Sequence, residues 1–254
     1  MPSSSERQEA ILGILENQEH ISVKELVSKL YFSESSIRRD LKRMEKLGLV
    51  VLHWGEVTLN RGLHFELPVI TRSVANKLQK QKIAECAASF IQNGDSIYLD
   101  ASSTALGMLP YLSDRLDLTI VTNGICTIQQ AYRCTNGTFI CLGGILRQRN
   151  GSSLTGGFTY TNIQATHCDK MFFSARAVDA DFGASDLSED ETEVKKYMFK
   201  NSDNVILLAD SSKFNIRSIF QICSLDCVDR IITDSAADYS SASWSAYSNK
   251  IITV

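Results

Sequence analysis

No stretch of this 254-residue chain reaches the roughly 18–20 apolar residues that a membrane-crossing helix needs. Its start, MPSSSERQEAILGILENQ, breaks its apolar pattern with charges and offers no small-residue cleavage site, so no signal peptide is expected. Positive charge is not in excess either: 26 Lys and Arg stand against 29 Asp and Glu, a formal net charge of −3. That excludes a global basic field and leaves only a local patch for any polyanion. Seven cysteines fall at 86, 126, 134, 141, 168, 223 and 227, with no C-x-x-C pair among them. Cys223 and Cys227 have the spacing to share a helix face, yet no histidine lies nearby to complete a metal set. Reduced structural thiols in a cytoplasmic protein are expected, with no metal and no cofactor. Proline is scarce, at 3 residues, and with 14 Gly, 44% hydrophobic and 22% charged residues the composition is ordinary and globular. The length favours two domains.

What is present begins with three helical patterns between residues 5 and 47. SERQEAILGILENQ spaces Ile11, Leu12 and Leu15 for one helix face. SVKELVSKL puts Ser22 and Glu25 in capping-box positions: the Ser oxygen accepts from an orphan backbone N–H while the Glu reaches back to the cap. SESSIRRDLKRMEKLG opens on Ser33 as an N-cap and closes on Gly48, which turns left-handed without penalty. Only YF separates the second pattern from the third, and helices joined that tightly cross steeply, as in a helix-turn-helix.

In the third helix Ile37, Leu41, Met44 and Leu47 form one stripe toward a small core. Ser35, Ser36, Arg38, Arg39, Lys42 and Arg43 fall elsewhere. Small hydroxyls can approach bases or phosphates closely, and guanidinium forks suit guanine or phosphate. The β-prone runs LVVLH and EVTLN flank WG, so a hairpin wing is expected, its tip beside a phosphate backbone. Alone, this charged face reads as solvated surface partly neutralised by Asp40 and Glu45. Three helices in order, a tight turn and a wing make it a helix directed at DNA.

Residues 60–75 shift in composition and are expected to link a winged helix-turn-helix domain, 1–59, to an α/β domain, 76–254. From Asn76 an amphipathic helix resumes and ends at the turn NGD. Short apolar runs then alternate with helical segments: SIYLD, LTIVTN, TFICLGG, KMFFSA, NVILLAD, RIITD and KIITV are the runs. That alternation signals a mainly parallel sheet covered on both faces, whose ligands collect at loops leaving the carboxyl ends of the strands. Those loops carry DASST, TN, GG and DSSK. Ser102, Ser103 and Thr104 stand at a helix start, where hydroxyls and backbone N–H groups converge on an anion or simply cap the helix. Gly143 and Gly144 leave room for a ligand or another loop, and Lys213 supplies a cation. Their recurrence at successive strand ends points to a polar small-molecule pocket.

SESSIRRDLKRMEKLGLVVLHWG resembles the DNA-binding segment of the DeoR family of bacterial transcriptional regulators. The chain keeps the family's Ser36-Ile37-Arg38-Arg39-Asp40-Leu41 core and His53, and departs at the wing with Trp54 and Glu56 where the family usually has Gly and Ala. The likeness continues through the DASST, TN, GG and DSSKF landmarks to about residue 234. It implies a larger domain with a fold like ribose-phosphate isomerases and CoA-transferases that senses phosphorylated sugars. By position Asp100, Ser102, Ser103, Thr104, Thr122, Asn123, Gly143, Gly144, Asp210 and Lys213 inherit the pocket. Ser102 replaces the family's loop glycine, and FFSARAVD puts Ser174 and Arg176 at two further glycine positions. Arg176 there binds a second phosphate or a carboxylate, or fills the pocket. The expected function is a repressor with no catalytic residues, acting as a homodimer or homotetramer on double-stranded operator DNA and having no membrane partner. The alternatives are a sugar-phosphate isomerase using Asp100, Asp210 and Lys213, or a regulator whose pocket has degenerated.

Overall fold

A computed structural model of the chain describes residues 4–18, 20–46, 49–59, 69–147 and 152–254. The chain divides into two compact units, Met1–Ala75 and Asn76–Val254.

The first unit contains α1 (Ser4–Asn17), β1 (Ile21–Ser22), α2 (Val23–Leu30), α3 (Glu34–Lys46), β2 (Val50–His53), β3 (Glu56–Leu59) and α4 (Val69–Val74). The capping box at α2 forms as its residues dictate. Ser22 Oγ accepts from the Glu25 N–H at 3.2 Å, and the Glu25 carboxylate accepts from the Ser22 N–H at 3.0 Å. After α2 the chain turns at Tyr31, whose φ of 56° is left-handed and whose N–H closes the helix on the Val27 carbonyl. Ile11, Leu12 and Leu15 of α1, Leu26 of α2, and Ile37, Leu41 and Met44 of α3 bury together with Val50 and Val57. Leu47 and Gly48, expected at the end of α3, lie outside the described residues, as do 60–68 of the expected linker. Residues 69–74, expected within that linker, form α4 instead. The hairpin β2–β3 gains a third strand, β1, through Ile21 opposite Val57. Two residues are too short a run to show a strand period.

The second unit begins with α5 (Lys77–Ala88), β4 (Ser96–Leu99), α6 (Ser103–Leu106), β5 (Leu118–Thr122), α7 (Ile125–Cys134) and β6 (Gly137–Cys141). A small hairpin, β7 (Ile145–Leu146) with β8 (Leu154–Thr155), leads to α8 (Gly157–Gln164) and β9 (Cys168–Phe173). Then follow β10 (Ala177–Asp179), β11 (Gly183–Asp186), α9 (Glu189–Lys200), β12 (Ser202–Leu208), β13 (Phe220–Cys223), β14 (Arg230–Thr233) and β15 (Ile251–Thr253).

All seven apolar runs read from the sequence are strands of one sheet, ordered β15-β14-β12-β9-β4-β5-β6, and every pairing in it is parallel. The inner strands are buried on both faces, which is why their runs are continuously apolar, whereas the edge strand β6 is largely exposed. Ile97, Leu99, Phe172, Ile206 and Leu208 pack on one side with Ile83 of α5 and Ala131 of α7. Tyr98, Met171, Phe173, Val205 and Leu207 pack on the other with Ile163 of α8 and Met198 of α9. The chain winds outward from β4 to β6, returns to place β9 on the far side of β4, and winds outward again. Between β4 and β9 the winding reverses, and in open α/β sheets ligands bind in the crevice at the carboxyl ends of such a pair.

The antiparallel sheet β10-β11-β13 was not expected. Its central strand, GASD, lacks large apolar residues, so it shows no strand pattern. Gly183 is required there: its φ is +86°, and a Cβ would stand 2.1 Å from the Cys223 carbonyl oxygen. Cys223 lies in β13 and Cys227 in a short 3-10 turn, so they do not share a helix face.

Candidate functional site

Two clusters of functional side chains emerge, one in each unit. On α3 the buried stripe turns Arg38, Arg39, Lys42 and Arg43 outward, all exposed, beside exposed Ser35 and half-buried Ser36. Ser33 Oγ accepts from the Ser36 N–H at 3.3 Å and lies 2.8 Å from the Ser36 hydroxyl, so three serines gather at the helix start. Glu34 holds the Arg38 guanidinium one turn on, with contacts of 2.7 and 2.8 Å to one carboxylate oxygen. Asp40 does not neutralise this face. It is buried at 2% exposure and accepts from Arg7 Nε of α1 at 2.7 Å, because its place on the helix is on the core side with Ile37 and Leu41. The exposed acidic side chains of α3 are instead Glu34, paired with Arg38, and Glu45. His53 is exposed at the end of β2, opposite Glu56 across the wing.

In the second unit the expected residues sit at the carboxyl edge of the sheet, on the loops after β6, β5, β4, β9 and β12 in spatial order. Asp100, Ser102, Ser103, Thr104, Thr122, Asn123 and Asp210 are all buried. At the β4–β9 reversal the two loops are tied directly. Asp100 accepts N–H groups from Ser102 and from Ser174, each at 3.0 Å. Beneath them lies Lys195 of α9, which donates to the Ser174 carbonyl at 2.7 Å and to Asp186 at 2.6 Å, and stands 3.5 Å from Asp100. Burial pushes the Lys195 ammonium down, but Asp186, Asp100 and Glu191 outweigh it and hold its pKa above the ordinary value. Burial pushes the Asp100 carboxyl up, with Lys195 and the Ser102 and Ser174 donors opposing. Glu191 extends the network: it accepts from Ser153 Oγ at 2.5 Å and pairs with Arg147 at 3.2 Å.

The hydroxyl of Ser102 is the N-cap of α6, accepting from the Ala105 N–H at 3.2 Å, and Thr122 Oγ1 accepts from the Gly124 N–H at 3.0 Å. Three buried oxygens at strand ends, Asn123 Oδ1, Asp210 Oδ2 and Thr233 Oγ1, have no hydrogen-bond partner among the described residues. Asp210 Oδ1 accepts from Asn76 at 2.8 Å and caps the turn bearing the half-buried Lys213. Arg176 is half-buried, its N–H donating to the Ser185 carbonyl at 3.0 Å. At Gly144 the space a Cβ would need is taken by Thr159 Oγ1 and the Thr155 carbonyl, so its openness serves another part of the chain. Gly143 has a φ of +67° and only Asn162 within 4 Å of a Cβ.

Residues 7–61 match the DeoR-like helix-turn-helix domain, and residues 75–235 match the DeoR C-terminal sensor domain. The chain belongs to the DeoR family. It is a DNA-binding transcriptional regulator with a C-terminal sensor domain. The HTH-type transcriptional regulator YulB of Bacillus subtilis is 36% identical over 235 residues, covering 92% of this chain and 90% of the relative. The glycerol-3-phosphate regulon repressor of Escherichia coli is 27% identical over 230 residues, covering 91% and 90%. Among solved structures, ribose 5-phosphate isomerase A of Methanocaldococcus jannaschii is 18% identical with a TM-score of 0.41 over 55% of each chain, too slight a likeness to bear on activity.

Sequence reasoning missed the charged layer under the DeoR sensor edge: Lys195, Asp186, Glu191 and Arg147. A signal was available in α9, where Glu191, Thr192, Val194, Lys195 and Met198 form the buried face. Charges on the apolar stripe of an amphipathic helix are buried together and must be paired. Gly124 was also missed: a Cβ there would meet Ala101 at 3.1 Å, so glycine lets the β5 loop close on the β4 loop. Cys168 and Cys223 are not part of this chemistry, since burial pushes both thiols up to about 12 and keeps them protonated. Among the described residues no group of three or more His, Cys, Asp or Glu is gathered to hold a metal.

Proposed function

We propose that this DeoR-family regulator is a repressor whose operator affinity is set by a phosphorylated sugar or related metabolite bound at the β4–β9 reversal. Ser35, Ser36, Arg38, Arg39, Lys42, Arg43 and His53 meet double-stranded operator DNA, with α3 in the major groove. Paired copies, a homodimer or homotetramer, read repeated half-sites. The effector is held by the loops carrying Asp100, Ser102, Ser103, Thr104, Thr122, Asn123, Gly143, Gly144, Arg176, Asp210 and Lys213. The carrying observation is that three buried oxygens without partners among the described residues, Asn123 Oδ1, Asp210 Oδ2 and Thr233 Oγ1, stand at the carboxyl ends of β5, β12 and β14, on both sides of the β4–β9 pair. Buried acceptors call for donors, and the hydroxyls of a sugar are donors. Arg176 and Lys213 supply positive charge for a phosphate. One relative's name couples repression to glycerol-3-phosphate, a small phosphate ester.

Catalysis has no part in this reading. Of the carboxylates an isomerase would draw on, Asp100 is engaged by two backbone donors and Lys195, and Asp210 Oδ1 caps the turn that bears Lys213. As a DNA-binding regulator the protein works in the cytoplasm beside its operator. An effector acts only through unequal affinity for two states of the regulator. A panel of sugar phosphates screened by thermal shift, then by gel shift on duplexes selected from a random pool, tests the proposal. At least one member should raise the melting temperature and change DNA affinity. If every member leaves both unchanged, the sensor reading is lost.

A further inference from the structure

A groove of about 450 Å³ lies between α3 and the wing, walled by Ser35, Arg38, Arg39 and Lys42 on one side and Leu52 and Gly55 on the other. Trp54 stands next to Gly55 at the wing tip and is 93% exposed. Among the described residues its one aromatic neighbour is His53, edge-on at 5.9 Å between centroids. His53 pairs with Glu56, so the turn is two residues long, and both have positive φ: 53° at Trp54 and 86° at Gly55. A two-residue turn of that kind favours Asn or Gly at its first position, and a bulky side chain there weakens the fold. Trp54 therefore contributes strain and an unburied indole to the isolated domain, and neither stabilises it. The chain's other tryptophan, Trp244, is buried at 1% exposure.

We propose that Trp54 is a DNA contact: its indole packs on the sugar edge of the DNA backbone beside the groove that α3 faces. This rests on the reading of α3 as the DNA-binding helix. The neighbouring cations select DNA as the occupant, since Arg38, Arg39 and Lys42 line the groove that the turn borders. An uncharged anchor suits this tip because Glu56, exposed on the next residue but one, repels phosphate. The contact has its own thermodynamic mark. Each phosphate contact by Arg or Lys releases counterions and adds about 0.9 to the slope of log affinity against log salt. An indole on a sugar releases none.

The test uses the full chain and a fluorescein-labelled duplex of mixed sequence, which reports backbone contacts, followed by anisotropy over a salt series. Trp54→Ala should weaken binding roughly tenfold at every salt concentration with the slope unchanged. Arg38→Ala should weaken binding and lower the slope by about one. Trp54→Gly should lose affinity like the Ala variant while melting higher than wild type, because glycine accepts the left-handed turn. That separates lost contact from lost fold. In the wild type, acrylamide quenching of the exposed tryptophan should fall when duplex is added. Trp54 variants that bind like wild type while Arg38→Ala does not would overturn the proposal and leave the DNA-binding reading intact. Failure of the wild type to bind duplex even at low salt would overturn both. Protection of Trp54 that grows with protein concentration in the absence of DNA would assign the indole to a protein contact instead, and the proposal would fall.

Discussion

On α3 the candidate contact side chains are exposed and held from beneath, whereas at the carboxyl edge of the sensor sheet most of the candidate site residues are buried and several hold one another. Arg38 and Arg39 stand in solvent while Ile37, Leu41 and Met44 anchor the helix. Asp100, Asp186 and Lys195 join the loops of two strands and a helix in one buried network. On the first surface recognition and stability are separable, since nothing in the core depends on the arginines. On the second they are coupled, since each charge compensates another that cannot reach water.

That contrast is sharpest at Lys195. Lys195→Ala leaves buried Asp100 and half-buried Asp186 without their shared cation and should cost about 3–5 kcal/mol of sensor-domain stability, read by urea unfolding. Because its folded pKa is raised, Lys195 contributes stability in full below the ordinary lysine value, lost only as pH rises through the folded one. The deficit of the variant should therefore be constant around neutrality and shrink only in strong alkali. Next in size, Arg38→Ala combined with Arg39→Ala should lower DNA affinity on the order of 100-fold in gel-shift titrations. Its unfolding free energy should stay within roughly 0.5 kcal/mol of wild type. A melting temperature falling in step with affinity would break the comparison.

A smaller effect is expected at Ser102, whose hydroxyl caps α6. Ser102→Ala should cost about 1 kcal/mol in the same urea assay, placing a site residue on the structural side of the comparison. The smallest belongs to the DNA-binding unit. The Ser22 backbone N–H and then the Ser22 hydroxyl hold the Glu25 carboxyl below its ordinary pKa. A lowered carboxylate contributes stability above its unfolded value that is lost as pH falls through the folded one. Glu25→Gln should thus melt slightly below wild type at neutral pH, and acid melts should show the gap closing.

The legible parts were those with a local period or a local cap. Seven apolar runs became seven parallel strands, and the Ser22–Glu25 box formed as spaced. Helix α3 was legible because its core stripe and basic face repeat at helical spacing. Asp40 was misread for the same reason: as a charge among charges it looked like surface, and only the position of Arg7 on α1 shows that it is buried. The sheet β10-β11-β13 was invisible because its central strand is made of small residues whose neighbours come from distant segments.

By itself the sequence determined the first three helices of the DNA-binding unit, the strands of the seven-stranded sheet and the loops that carry its polar residues. Those follow from side-chain periodicity and capping within a few residues. Tertiary structure alone decided that β9 lies beside β4, that Ser174 donates to Asp100 across 74 residues of chain, and that Lys195 sits beneath them both. A strand's own residues carry no record of which neighbour it pairs with. A buried charge likewise shows itself only when the partners that balance it have been brought together.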